Sequence, residues 1–148
     1  MNDKKLILRL GNHKPKIHEP YFDLIRSLLH VERKTNESFI SNCFPTKVSW
    51  VKLFCSKIEE NSPGHSWYNT ILEYIKNNPS ACGFSEYESL GTFFSENFPD
   101  QIILENGNYF RPAHYICELQ KLDEREIVRL REKFDYLAYD GYVNDSCF

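Results

Sequence analysis

The sequence predicts an α+β fold in one small domain, 1–148, with about five helices, an N-terminal strand and a β-hairpin at 101–112. A chain of 148 residues suits one domain, and its 15% aromatic content can fill a core. Apolar residues recur at helical spacing through most of the chain, whereas residues 6–10 alternate as a strand does. An Asn-Gly pair between two β-prone runs supplies the hairpin signal.

The N-terminal strand is predicted by strict alternation in the segment KLILRLG. Leu6, Leu8 and Leu10 share one face, and the residues between them take the other. Gly11 and the Pro-containing segment that follows end the strand.

The first two helices are predicted at 19–34 and 46–61. Pro20 suits a first helical turn, where its missing N–H costs nothing, and Thr46 is a suitable N-cap for the second helix. The apolar positions that repeat at helical spacing are Phe22, Ile25, Leu28 and Leu29 in the first helix and Val51, Phe54, Cys55 and Ile58 in the second.

Ser66 and Ser85 are the predicted N-caps of the third and fourth helices, and Glu88 completes a capping box with Ser85. Gly91 weakens the fourth helix by about 1 kcal/mol relative to Ala, and a small residue there predicts the close approach of a neighbouring backbone. The inward positions are predicted to be Ile71, Leu72 and Ile75 in the third helix and Tyr87, Leu90, Phe93 and Phe94 in the fourth.

The hairpin is predicted at Asn106-Gly107, which suits a type I′ turn because both turn positions need φ > 0. The register then places Glu105 opposite Asn108. Two helices followed by a hairpin over 66–112 is a winged-helix-like order of elements, which by itself assigns no function.

The last helix is predicted to run from Asp123 to about residue 139, with Asp123 and Glu126 as a capping-box pair. Its apolar stripe is Ile127, Leu130, Phe134 and Leu137.

Charge divides the chain into a basic and an acidic half. Residues 1–65 contain eleven Lys/Arg against seven Asp/Glu, and residues 66–148 contain seven against fourteen. Such a split is typical of a surface that faces a charged partner, although pairing of the two halves within the fold explains it equally well. The Pro-Gly turn at 61–65, where the charge changes sign, is predicted as an internal hinge of the single domain.

A non-enzymatic protein-binding domain is the leading functional hypothesis, as a small inhibitor, antidote or immunity-type protein or as an adaptor. The acidic, aromatic-rich C-terminal half suits a basic protein partner, because charge complementarity speeds encounter and exposed rings anchor the contact. The predicted partner-binding residues are Tyr109, Arg111, Tyr136, Tyr139, Asp140, Tyr142 and Asp145.

The alternative is a nucleic-acid-binding regulator with a winged-helix-like fold. Its predicted binding residues lie in the basic half and are Lys4, Lys5, Arg9, Lys14, Lys16, Arg33 and Lys34. The helix that would enter the groove, 86–98, argues against this hypothesis, because it has no Lys or Arg and carries three Glu residues that repel phosphate.

No catalytic or metal-binding motif occurs in the chain, so no catalytic residue, metal or cofactor is predicted. A third hypothesis is a cryptic enzyme that uses Arg111, His114 or Cys117. The five cysteines lack zinc or redox spacing, which is typical of reduced thiols in a cytoplasmic protein. No apolar run reaches the roughly 20 residues that span a bilayer, so we expect a soluble, cytoplasmic protein without membrane contact.

Overall fold

The structure, a computed structural model, describes residues 5–11, 19–41, 43–78, 83–110 and 123–137. They belong to two compact units, Met1–Asn106 and Gly107–Phe148. Within the described ranges, no helix is both long enough and apolar enough to span a bilayer.

The first unit contains four α-helices and two strands among its described residues. In chain order these are β1 (Leu6–Leu10), α1 (Glu19–Leu29), α2 (Val48–Asn61), α3 (Trp67–Asn77), α4 (Glu86–Asn97) and β2 (Ile102–Asn106), with a short 3-10 helix at Pro99–Gln101 before β2. Helix α2 packs against α1, α3 and α4, and α1 also packs against α4. The hydrophobic core lies between these helices and one face of the two strands.

Strands β1 and β2 form a parallel sheet of two strands, with Leu8 opposite Leu104 at its centre. The alternation predicted for β1 is confirmed, because Leu8 and Leu10 are buried whereas Ile7 is exposed. The N-terminal strand therefore contributes one face to the core.

The hairpin predicted at Asn106-Gly107 is wrong for the described residues. Strand β2 pairs with β1 and not with the segment that follows the pair, so Glu105 lies opposite Arg9 and not opposite Asn108. A type I′ turn needs positive φ at both central residues, and neither residue of the pair is among the described residues that have it. The winged-helix order is not confirmed, because it depends on this hairpin.

Helices α1 and α2 form where they are predicted, but with different ends. Helix α1 ends at Leu29 and not at residue 34, because His30 has a left-handed φ of 55° that a helix cannot continue through. The N-cap of α2 is Lys47 and not Thr46. The buried side chains of α2 are Trp50, Phe54 and Ile58. The buried face of the helix therefore includes Trp50 in place of the predicted Val51 and Cys55, which are half-buried.

Helix α4 is joined to the segment 38–41 by a buried carboxylate. The predicted Ser85 N-cap is confirmed, since its hydroxyl accepts the Glu88 N–H at 3.3 Å. The Glu88 side chain, predicted to bond back to the N-cap, is instead fully buried. It accepts hydrogen bonds from the Ser38 hydroxyl and, at 3.0 Å, from the Phe39 N–H. Glu88 thus anchors a loop that lies far from it in sequence.

Gly91 of α4 lies beneath the ring of Phe39, and a Cβ at position 91 would overlap that ring. The predicted close approach at Gly91 therefore occurs, but an aromatic side chain makes it and not a backbone. Phe39 is itself almost fully buried.

Aromatic rings fill the space between α2 and α4. Trp50 stacks on Phe98 with ring centroids 4.1 Å apart and meets Phe94 edge-on at 5.2 Å. Phe54 and Phe93 make a second edge-on pair at 5.4 Å. The rings expected from composition to fill the core do so in this unit.

The second unit contains helix α5 (Glu124–Lys133) and the short strands β3 (Tyr109–Phe110) and β4 (Tyr136–Leu137), which pair in parallel. The capping box predicted for Asp123 and Glu126 is present. The predicted extension of this helix to about residue 139 is wrong, because the C-cap Phe134 has an extended backbone and strand β4 begins at Tyr136.

Asn108 holds the C-terminal end of α5. Its side-chain amide donates to the Lys133 carbonyl, one of the carbonyls that a helix end leaves without an intrahelical partner. The Asn108 N–H donates to the Asp135 carboxylate at 3.0 Å, and the Asp135 N–H donates to the Asn108 carbonyl at 2.7 Å. The residue after the Asn-Gly pair therefore tethers a helix end.

The α+β class is confirmed: the described residues form five α-helices and short parallel β-pairs. The extent of the single domain, 1–148, and the hinge at 61–65 stay predictions.

Candidate protein-binding surface

Helix α3 carries apolar side chains on its outer side. Trp67, Tyr68 and Leu72 are exposed, with 51% of Tyr68 and 60% of Leu72 open to solvent. The rings of Trp67 and Tyr68 meet edge-on at 5.7 Å, and residues 68 and 72 share one side of the helix because they are four apart. We call this set, together with its polar neighbours, the α3 surface: Trp67, Tyr68, Asn69, Leu72, Glu73 and Lys76.

The opposite side of α3 is turned to the core and to α2. Thr70 and Ile71 are buried, and Ile75 is half-buried. This orientation turns Leu72 outward, so the prediction that it faces inward is wrong, whereas that for Ile71 is confirmed. Apolar spacing alone does not fix which side of the helix faces the core to better than about one residue, and one residue corresponds to a rotation of about 100° around the helix axis.

A carboxylate from α2 fixes the start of α3. The Glu59 side chain accepts the Trp67 N–H at 3.1 Å, and a negative charge is favourable at a helix N-terminus. Ser66 occupies the N-cap position as predicted, but its side chain makes no capping bond. The first turn, which carries Trp67 and Tyr68, is thus held by a contact from a neighbouring helix.

A shallow groove of about 380 Å³ lies along the α3 surface and is lined by His65, Asn69, Leu72, Glu73 and Lys76. His65 Nδ1 lies 3.5 Å from the Glu73 carboxylate. An open groove with one apolar side chain among polar ones suits a side chain of another protein better than an enclosed small molecule, which needs a mostly apolar cavity.

Two cysteines lie in the described residues, Cys43 and Cys55, and neither is in a disulfide. Burial, and after it the nearby Glu59 carboxylate, raises the pKa of the Cys55 thiol. Because a protonated thiol is a poor nucleophile, this environment gives no support to thiol chemistry near α3. Within the described part of the chain, no three His, Cys, Asp or Glu side chains are grouped to hold a metal ion.

Two of the predicted partner-binding residues, Tyr109 and Tyr136, lie in the described part of the chain, and they are direct register partners in the β3–β4 pair. The remaining predicted contact residues lie outside the described residues: Arg111, Tyr139, Asp140, Tyr142 and Asp145. His114 and Cys117 of the cryptic-enzyme hypothesis also lie outside them.

Basic residues predicted to bind nucleic acid form ion pairs with the acidic half of the chain. Arg9 lies 2.8 Å from the Glu105 carboxylate, and Lys34 lies 2.7 Å from that of Glu96. The basic and acidic halves of the chain therefore pair with each other at these two positions, which is the second explanation given above for the charge split.

The other predicted phosphate contacts are placed as follows. Arg33 lies over the Phe22 ring, 4.3 Å from its centroid, and donates to backbone carbonyls at 2.9 and 3.2 Å. Lys5 is exposed. The remaining three, Lys4, Lys14 and Lys16, lie outside the described residues.

Comparison of the chain with protein families, with curated proteins and with solved structures gives no match.

Proposed function

We propose that the protein is a non-enzymatic protein-binding domain, an inhibitor, antidote or immunity-type protein or an adaptor, that binds a basic protein partner. The observation that carries the proposal is the α3 surface, where Trp67, Tyr68 and Leu72 are exposed and the rings of Trp67 and Tyr68 are in contact. Aromatic residues that another protein can bury are the side chains that most often dominate binding energy.

The α3 surface lies in the acidic half of the chain, as the hypothesis from the sequence requires. Part of that negative charge is balanced within the fold, since Glu96 and Glu105 form ion pairs with Lys34 and Arg9. We therefore propose that apolar contact supplies most of the affinity and that charge mainly speeds encounter. The tyrosines at 109 and 136 remain additional predicted anchors.

The test is a pull-down of cellular proteins with the full chain at low and at high salt. We expect a basic protein to be retained at both, because apolar contact is not screened by salt. Replacing both Tyr68 and Leu72 by Ala should weaken capture by at least about tenfold, equivalent to roughly 1.4 kcal/mol.

Val48→Ala is the matched control, because Val48 is 71% exposed on α2 and lies outside the α3 surface. It should leave capture unchanged. Retention of no protein by the unaltered chain, or equal retention by the Tyr68/Leu72 variant, would contradict the proposal. Retention of nucleic acid that disappears steeply with salt would favour the alternative function.

A further inference from the structure

Asn106 differs from the other asparagines of the chain in the residue that follows it. The sequence has twelve Asn residues, and Asn106 is the one that precedes a glycine. Glycine has no Cβ, so other groups can approach its backbone nitrogen closely. In an Asn-Gly pair, that nitrogen can therefore reach the side-chain carbonyl carbon of the asparagine before it.

The side chain of Asn106 is free to turn toward its own backbone. Asn106 is exposed, and among the described residues its side-chain amide makes no hydrogen bond. The side-chain amides of four other asparagines, in contrast, donate to backbone carbonyls and are held by them: Asn61, Asn78, Asn97 and Asn108. No such bond has to break before the Asn106 side chain approaches the next peptide nitrogen.

We propose that Asn106 is a self-modification site, at which the chain converts this asparagine to aspartate and isoaspartate. The Gly107 nitrogen gives up its proton and attacks Cγ of Asn106, so that a C–N bond forms and a cyclic succinimide closes. The bond from Cγ to the side-chain nitrogen breaks, and that nitrogen takes up a proton and leaves as ammonia. Water then opens the succinimide at either carbonyl, which gives aspartate or isoaspartate.

The position of Asn106 at the end of β2 suits this reaction. Asn106 is the last residue of the strand, and the end of an element opens more readily than its centre. Its exposed side chain lets ammonia leave and water enter from solvent. Gly107 is buried, but its nitrogen needs no path from solvent because it is covalently next to the group that it attacks.

Either product alters the end of the β1–β2 sheet. Asn106 lies opposite Leu10, and this is the last register pair of the sheet. Aspartate adds a negative charge next to Glu105. Isoaspartate also routes the main chain through Cβ and lengthens it by one carbon atom, so the backbone groups that follow are displaced relative to Leu10. The site therefore changes both the charge and the strand pairing of the protein.

The experiment incubates the full, folded chain at neutral and at mildly alkaline pH and follows its proteolytic peptides by mass spectrometry. We expect the peptide with position 106 to gain the mass of an amide-to-acid conversion and to separate into two products, aspartate and isoaspartate. Conversion should be faster at alkaline pH, because the Gly107 nitrogen must lose a proton. Asn36 and Asn69 are internal controls, since both are exposed but precede Glu and Thr; they should convert at least about tenfold more slowly.

Two variants test the chemistry separately. Gly107→Ala should slow the conversion at least about tenfold, because a Cβ hinders the approach of the nitrogen. Asn106→Gln leaves the backbone unchanged and should abolish the mass gain, because its longer side chain has to close a larger ring; Asn36→Gln, the matched control, should leave conversion at 106 unaffected. An unchanged peptide at 106, equal rates at 36 and 106, aspartate without isoaspartate, or a mass gain that persists in Asn106→Gln would overturn the inference.

Discussion

Two residues of α4, Glu88 and Gly91, look like local helix features in the sequence and make long-range contacts in the fold. Glu88 has the spacing of a capping box, yet its carboxylate binds Ser38 and the backbone of Phe39. Gly91 looks like a weak point of the helix, yet it makes room for the Phe39 ring. Both residues therefore fasten the same loop, and substitutions at either should affect the stability of the first unit.

Gly91→Ala should destabilise the protein, although Ala is the better helix former. The added Cβ overlaps the Phe39 ring, and overpacking of a core costs about 1–3 kcal/mol. Urea unfolding measures the change. Phe39→Leu is the matched second change, because a smaller side chain makes room for the new Cβ. The double variant should therefore lose less unfolding free energy than the two single variants lose in sum. Simple additivity would contradict the contact.

Glu88→Ala should destabilise the protein by at least about 2 kcal/mol, because it leaves the buried Ser38 hydroxyl and Phe39 N–H without their acceptor. Glu88→Gln keeps one carbonyl oxygen and should lose less. Thermal unfolding of the two variants gives the comparison. Equal losses would mean that the cost comes from packing and not from the hydrogen bonds.

Among the helices, periodicity and capping residues predicted all five elements and the N-caps Ser66, Ser85 and Asp123, but they missed the C-terminal ends of α1 and α5. Helix α1 ends where His30 takes a left-handed φ, and α5 ends at Lys133, whose carbonyl accepts the Asn108 side-chain amide. The partner of β2 was predicted wrongly because local turn chemistry favours a hairpin, whereas the fold pairs β2 with a strand almost a hundred residues earlier. Strand pairing depends on how the whole core packs, and a short segment of sequence does not contain that information.

Asn108→Ala should loosen the last turn of α5 by about 1 kcal/mol, the usual contribution of one hydrogen bond. The readout is faster hydrogen exchange of the amides at the C-terminal end of 124–133. Asn97→Ala is the control, because the Asn97 amide donates to a carbonyl of its own helix, that of Phe93. An α5 end equally protected in both variants would show that the Asn108 amide does not hold it.

Across the whole molecule, ion pairs inside the fold explain part of the charge difference between the two halves of the sequence. Arg9 and Lys34 of the basic half bind Glu105 and Glu96 of the acidic half. Composition reveals the excess of each charge but not which charges meet. The α3 surface was missed for a related reason: Leu72 has the spacing of a core residue, and only the packing of α3 against α2 turns it outward.

We propose that the α3 surface contacts another protein. The most direct test replaces Asn69, in the middle of that surface, with a photo-reactive amino acid and irradiates cells that produce the chain. The same replacement at Val48, exposed but outside the surface, serves as the control. We predict one discrete cross-linked partner from position 69 and none from position 48. No adduct from position 69, or the same adducts from both positions, would contradict the claim.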